Sequence, residues 1–351
     1  MAASKRKKRT NRRRARRWTW AAVIILLIAA IAMAAAAFSR TNNMEAVHLY
    51  IDADDTTDSV TTHIDTLTST YGLIGFRLLA QAMRYEGNER TGHYVIAPHT
   101  TMVDLVKQLR SGEQQPVRMV IPPARHLGTL CAQLSRSIML DSATIADALT
   151  DDTLCASLGY TVQTIPALFI PNTYEIYWNV TLKGLFQRMK RENDTFWTPE
   201  RRARAASLGL TPTEVATLAS IVDSETANNA EKPTIAGLYL NRLRINMPLQ
   251  SDPTVIYAIS DFTIRRVSYD HLRTESPYNT YLHTGLPPGP IRIPSIAAID
   301  AVLYAPRHDY LYMCAKADFS GTHAFATTYT EHQRNARAYA RALNERGIQI
   351  K

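Results

Sequence analysis

The chain has 351 residues, 46% apolar and 20% charged, with 40 Lys and Arg against 31 Asp and Glu and a formal charge of +9. That length holds two or three small domains, or one large domain with appendages. Ten of the 40 basic residues (Lys5 to Arg9, Arg12 to Arg14, Arg16 and Arg17) lie in the stretch 1–17, which contains no acid; the other 30 nearly balance the 31 acidic side chains. The positive charge is therefore the property of a tail, and it gives no ground for a nucleic-acid partner.

The tail runs straight into an uncharged segment, Trp18 to Phe38, WTWAAVIILLIAAIAMAAAAF. At about 1.5 Å rise per residue a helix of this length matches a hydrocarbon core of about 30 Å. The cationic flank favours the cytoplasmic side, and indole rings such as Trp18 and Trp20 favour the interface. The expectation is a single transmembrane helix over 18–38, with 1–17 a cytoplasmic tail and everything after a short linker, 39–44, exported. A cleaved signal peptide is the rival reading, since Ala34-Ala35-Ala36 resembles a cleavage site. Signal cores are usually about 7–15 residues long, shorter than this one. Cys131, Cys155 and Cys314 are an odd number of thiols. Export permits a Cys131–Cys155 bridge, but spacing does not establish one, and three buried thiols is the preferred expectation.

Along the exported part, His48 to Ile51 reads as a strand, followed by a turn and helix start over Asp52 to Ser59. One helical pattern runs through Ile64, Leu67 and Leu73, and another through Phe76, Leu79, Ala82 and Met83. His93 to Ile96 is strand-like; a helix opens at Thr100–Asp104 and stops at Gly112; Val117 to Ile121 is again strand-like before Pro122-Pro123. His126 to Leu134 resumes the helical period. Short elements alternating in this way predict a small α+β module over 45–120. Residues 140–210 read as mostly helical, interrupted by LFIPNTYEIYW, Leu168 to Trp178. The rest carries two helices, Pro-rich turns, an aromatic run at Tyr310-Leu311-Tyr312 and a final basic helix from about 330.

The segment 211–226, TPTEVATLASIVDSET, is the most informative. Thr211 fits a helix N-cap, Pro212 the first helical position, and Glu214 completes a capping box. Val215, Leu218, Ala219, Ile221 and Val222 then form one apolar stripe. Glu225 projects onto that stripe, between Leu218 and Ile221, whereas Asp223 falls near its small-residue margin. Burial raises a carboxyl pKa, and a carboxylic acid still protonated near neutrality is what a glycosidic oxygen needs as a proton donor. The same spacing also fits a carboxylate past a fraying helix end that merely accepts backbone hydrogen bonds. Periodicity leaves the two readings even and names no reaction.

The run from Ala219 to Ile259, ASIVDSETANNAEKPTIAGLYLNRLRINMPLQSDPTVIYAI, is similar to the core signature of the endolytic murein transglycosylases. So are LFIPNTYE before it, SPYNTYLHTGLPPGPIRIPS (Ser276 to Ser295) after it, and GTHAF (Gly321 to Phe325) near the end. The resemblance implies an α+β protein: the membrane helix, a LysM-like module over 45–120, and a catalytic domain over 121–351. It implies an endolytic lyase that cuts nascent peptidoglycan strands without water and leaves 1,6-anhydro ends, with Glu225 as catalytic acid. The family commonly carries two acids two residues apart; Asp223 stands at the first, and Glu225, followed by Thr226, at the second. From the matching blocks, Asn241, Gln250, Asp252, Tyr278, Asn279 and Thr280 are candidate contacts for the sugar. Each also has a plain structural reading, as a cap, a turn residue or a packing aromatic. The block Gly285 to Pro290 reads as a rigid loop, and His323 as a structural histidine sooner than a sugar ligand. Asn172 stands where the family usually has Asp, and Pro166-Ala167 where an acidic Glu-Gly pair often precedes the Pro-x-Thr-Tyr block. The implied partners are glycan strands and the cytoplasmic membrane, with room for peptidoglycan synthases or division proteins; no metal or organic cofactor is implied. Two other readings stay open: a non-catalytic peptidoglycan-binding or scaffold protein, and a hydrolase using water with Asp252 as second carboxylate.

Overall fold

The computed structural model describes residues 2–346. The side chains of 2–15, which hold most of the basic tail, lie outside the described part. Helix α1 (Ala2–Ala37) contains Arg16–Ala37, a segment long and apolar enough to cross a membrane. The protein is a mixed α+β structure. Its described strands pair into three two-stranded sheets, β1 with β2, β3 with β4 and β5 with β6. The chain divides into two compact units, one formed by residues up to Val117 with Glu175–Asn179, the other by Arg118–Tyr174 with Val180 onward.

In the first unit β1 (Val47–Ile51) is followed by α2 (Thr57–Asp65) and α3 (Thr70–Ala82), then by β2 (Gly92–Ile96) and α4 (Met102–Ser111). The antiparallel register sets Leu49 opposite Tyr94 and Val47 opposite Ile96. Alternation along the strand therefore turns Leu49, Ile51, Tyr94 and Ile96 into one core with Phe76 of α3 and Leu105 and Leu109 of α4. The long helical pattern through Leu73 breaks earlier than its periodicity suggests: α2 ends at Asp65, and Ser69 caps a new helix by accepting from the Gly72 amide. A serine able to satisfy a free helix amide outweighs a continuing apolar period. Gly112, at φ 72°, closes α4 where the sequence placed its stop.

The second unit is mostly helical. β3 (Val117–Ile121), whose first residue belongs to the first unit, is followed by α5 (Leu127–Leu134), α6 (Ser142–Leu149) and α7 (Asp152–Ser157), and a 3-10 turn at Ile165–Leu168 leads into β4 (Asn172–Ile176), whose last two residues belong to the first unit. The interrupted segment thus supplies a strand, opened by Asn172, whose Oδ1 accepts from the Thr173 amide. Next come α8 (Leu182–Phe196), α9 (Pro199–Ser207), α10 (Pro212–Glu225), α11 (Lys232–Arg244) and α12 (Asp252–Ile259). After the long 261–295 loop, α13 (Ile296–Leu303), the β5 (Tyr312–Ala315) and β6 (His323–Ala326) hairpin and α14 (Tyr329–Glu345) complete the unit. Cys131, Cys155 and Cys314 are all unpaired, the first two buried.

Helix α10 is the pillar of this unit, packed against α9, α11, α12 and α13. Its stripe, Val215, Leu218, Ala219, Ile221 and Val222, is fully buried, and so are Ala216, Thr217 and Ser220. A one-sided stripe underestimates this burial because the other faces carry small or hydroxyl side chains that bond within the protein. The Thr217 hydroxyl donates to the Thr213 carbonyl, and Ser220 Oγ accepts from the Ile291 amide. Each large apolar side chain so enclosed contributes roughly 1.5–3 kcal/mol. That holds the last turn of the helix, where the acids sit, in one position.

Candidate active site

The start of α10 is fixed as its sequence dictates. The Glu214 amide bonds Thr211 Oγ1 at 3.2 Å, and Glu214 Oε2 accepts from the Thr211 amide at 2.7 Å. At the other end Asp223 and Glu225 point to different surroundings. Asp223 is buried against Lys232, whose Nζ lies 2.6 Å from Oδ1; its two oxygens also accept from the Ser295 hydroxyl at 2.9 Å and the Ser295 amide at 3.1 Å. Arg292 adds a second cation at 3.6 Å. Desolvation pushes the Asp223 pKa upward, but Lys232, Ser295 and Arg292 outweigh it and hold the carboxyl below its usual range. Asp223 is therefore an ionised brace tying the end of α10 to Ser295, the N-cap of α13.

Glu225 is held differently. Its Oε1 accepts from the Tyr239 hydroxyl at 2.7 Å and from the Ser251 hydroxyl. Both bonds fall on Oε1, so among the described residues Oε2 has no protein donor. Enclosure by the protein raises the carboxyl pKa, and the neighbouring Asp252 adds to the rise, while the Ser251 and Tyr239 bonds and the nearby His323 oppose it. The net direction is upward. The apolar stripe thus delivers to the helix end a carboxyl that favours its protonated form, oriented through one oxygen and open at the other.

Glu225 lines a cavity of about 310 Å³ with Tyr239 and Arg242 of α11, Gln250, Asp252, Tyr281 and the hairpin residues Cys314 and His323. That volume is at the small end of ligand sites. Arg242 is buried and donates to the carbonyls of Leu311 at 2.7 Å and Leu249 at 2.7 Å, which locks the 248–250 turn and the hairpin to α11. Tyr281 donates to Asp252 Oδ1 at 2.6 Å. His323 approaches Glu231, with Nδ1 at 3.2 Å from Oε2, so it is both braced and exposed to the cleft. A larger cavity, about 1220 Å³, opens on the opposite face of α11 beside Asn241, Arg244 and His308. Its acids are Glu214, spent in the capping box, and the exposed Asp309, so size does not mark the chemistry there.

Of the residues singled out in the sequence, Gln250 and Asp252 meet Glu225 in this cleft. Asn241 does not: its amide donates to the carbonyls of His308 at 2.7 Å and Tyr310 at 3.0 Å on the other side of α11. Tyr278 packs on Tyr257, ring centroids 4.7 Å apart. Asn279 is fully buried and donates to the Leu272 and Thr274 carbonyls, organising the loop that bears it. Thr280 acts one step back, since its Oγ1 accepts from the Ser251 amide at 3.0 Å and so positions the hydroxyl that reaches Glu225. In the Gly285–Pro290 block it is Gly289 that lies against neighbouring backbone, where a Cβ would come within 2.0 Å of the Gln163 carbonyl oxygen; one on Gly285 would meet nothing within 4 Å. Tyr239, Ser251 and Arg242 were not singled out. The one local signal was the i,i+3 spacing of Tyr239 and Arg242, which puts both on one face of α11. Among the described residues no group of three His, Cys, Asp or Glu is placed to hold a metal ion.

An N-terminal apolar helix, a two-unit α+β body and an enclosed acid at the end of a buried helix define the class of protein. Residues 49–338 match the model of the YceG-like family, and the chain belongs to that family. It is 41% identical over 130 residues to the endolytic murein transglycosylase of Bacillus subtilis (37% of this chain, 35% of that protein). It is 28% identical over 296 residues to that of Streptococcus pneumoniae serotype 2 (76% of this chain, 53% of that protein). The chain thus spans about half or less of the length of these relatives. A crystal structure of a YceG-like protein from Listeria monocytogenes aligns with a TM-score of 0.55 at 25% identity, over 83% of this chain and 99% of that one.

Proposed function

We propose that this chain is a membrane-tethered lytic transglycosylase that cuts peptidoglycan strands internally between N-acetylmuramic acid and N-acetylglucosamine, with Glu225 as the catalytic acid and base. The observation that carries the reading is the Glu225 carboxyl, enclosed, raised in pKa and held by Tyr239 and Ser251 through Oε1 alone. The names borne by the relatives support the same substrate.

In this mechanism protonated Glu225 gives its proton to the bridging oxygen as the C1–O4 bond breaks. The resulting carboxylate takes the proton of the muramic C6 hydroxyl as O6 closes on C1, which forms the 1,6-anhydro ring and restores the acid. Every proton is accounted for by one residue, without the second carboxylate that hydrolysis requires. Charge developing on the ring is met by groups that share the cleft, Tyr281 with its partner Asp252, and Gln250. Arg16–Ala37 is read as an anchor with its N-terminus inside, and 45–120 as the LysM-like module between anchor and catalytic domain; the length of the apolar helix supports the first and the position of the module after it the second. The tether keeps the site near strands still emerging at the membrane surface.

Digestion of purified peptidoglycan with wild type and Glu225→Gln tests the reading. The expected result is anhydro-ended products from wild type and a loss of about 10²–10⁴-fold or more in the variant. Reducing ends would instead indicate hydrolysis with Asp252 as partner. Glycan binding without cleavage by wild type would indicate a scaffold. Loss of activity in Asp223→Asn with retention in Glu225→Gln would overturn the assignment.

A further inference from the structure

We propose that α3 is a membrane-seated helix: the first unit rests on the outer leaflet through the exposed stripe Tyr71, Ile74 and Leu78. This rests on the reading of Arg16–Ala37 as a retained span. The occupant of the stripe is lipid, and the reason is where α3 meets that span.

Helix α3 touches α1 at two levels and a residue just past the end of α1 at a third. The Tyr71 hydroxyl donates to the Ala32 carbonyl at 2.5 Å. A Cβ on Gly75 would fall 2.2 Å from the Ala36 carbonyl oxygen, and one on Gly72 would fall 2.1 Å from Thr68 Oγ1 and 3.1 Å from Ser39 Oγ, just past the end of α1. The missing side chain at Gly75 lets the two helices approach to backbone contact, the device by which helices associate closely in lipid. At about 1.5 Å per residue, Ala32 lies about 7.5 Å inside the Ala37 end of the span. A segment as long as Arg16–Ala37 is about as long as the hydrocarbon core is thick, about 30 Å. Once α1 spans the bilayer, a side chain bonded to Ala32 is at the level of the upper acyl chains, and the helix carrying it lies in the headgroup region.

The faces of α3 agree with that depth. Phe76 and Ala80 turn into the core of the unit, while Gly75 meets α1 and Gly72 meets Ser39 just beyond it. At 100° per residue Tyr71, Ile74 and Leu78 form a separate stripe bordering the glycine face, and they are 45%, 50% and 43% exposed. The stripe is thus continuous with the apolar surface of the span, with Phe38 exposed at the joint. Arg77 and Gln81 border its other side, where headgroups would lie. Apolar side chains below and polar ones above is the pattern of a helix lying in the interface, and a tyrosine there suits the membrane–water boundary.

The test uses the full chain reconstituted in phosphatidylcholine vesicles, in a Cys314→Ser background because the other two thiols are buried. An environment-sensitive fluorophore is attached to Ile74→Cys or Leu78→Cys, with Ile28→Cys in the span and Asp54→Cys, beyond the far end of β1, as references. Quenching by nitroxide-bearing lipid is measured. Labels at 74 and 78 should be quenched about threefold or more above the label at 54, most strongly by nitroxides placed high on the acyl chain. Quenching at 28 with labels at 74 and 78 matching 54 overturns the seat and leaves the span intact. Absence of quenching at 28 overturns the span and the seat together.

Discussion

Glu225 and Asp223 are two residues apart on one helix, and partners from distant parts of the chain make them chemically opposite. Asp223 meets two cations and two donors from Ser295; Glu225 meets two neutral hydroxyls and a carboxylate neighbour. Desolvation raises both carboxyls; the cations and the Ser295 donors outweigh it at Asp223, and the two hydroxyls do not outweigh it at Glu225. With Glu225 raised, the form able to donate a proton is lost as pH rises through that raised value, so activity should fall along that limb. Tyr239→Phe removes a bond that favours the ionised form, so the pKa rises further and the limb should move to higher pH. A limb displaced to lower pH in a pH–rate series would show that Tyr239 does not act on this carboxyl. Asn241 and Asn279 show the limit of reading single residues. Both stand in blocks that resemble the endolytic murein transglycosylases, yet both are buried and bonded to backbone carbonyls.

At the scale of elements, Asp223 joins α10 to α11 through Lys232 and to α13 through Ser295, the N-cap of α13. Asp223→Asn leaves the 6%-exposed Lys232 without its counter-charge, and denaturant unfolding should show a loss of about 3–5 kcal/mol at neutral pH. Replacing Lys232 by Met in the same chain should recover part of that loss. Because the Asp223 pKa is depressed, its stabilisation is present above the unfolded value near 3.8 and is lost as pH falls through the depressed one. The deficit of the variant should therefore shrink in acid, and a neutral-pH loss below about 1 kcal/mol would argue against the brace. Element boundaries were legible where a cap stated them, as at Thr211 and Gly112. The α2–α3 break and β4 were not, since a serine in an apolar period and a strand after a proline carry little local signal.

At the scale of the whole molecule, charge is segregated: ten cations precede the apolar helix and a near-neutral chain follows it. The proposed topology puts them on opposite sides of the membrane. In intact spheroplasts an impermeant thiol reagent should reach Tyr50→Cys and reach Arg16→Cys only after lysis; equal labelling of both before lysis would refute an N-inside span.

The basic tail, the apolar helix, the strands β1, β2 and β3, the helix ends at Thr211 and Gly112, and the placement of Glu225 on the buried stripe of α10 were determined by the sequence alone. Each depends on neighbours within a few turns, where periodicity and capping chemistry act directly. Tertiary structure alone decided what surrounds Glu225. Tyr239 and Ser251 are 14 and 26 residues away, and the Ser295 contact of Asp223 is 72 residues away. A polar side chain becomes a donor, a brace or a cleft residue according to partners that only folding brings within 3 Å or so. The acid that the sequence nominated by its helical face owes its orientation to those partners, and its raised pKa to the enclosure that folding builds around it, which outweighs their bonds.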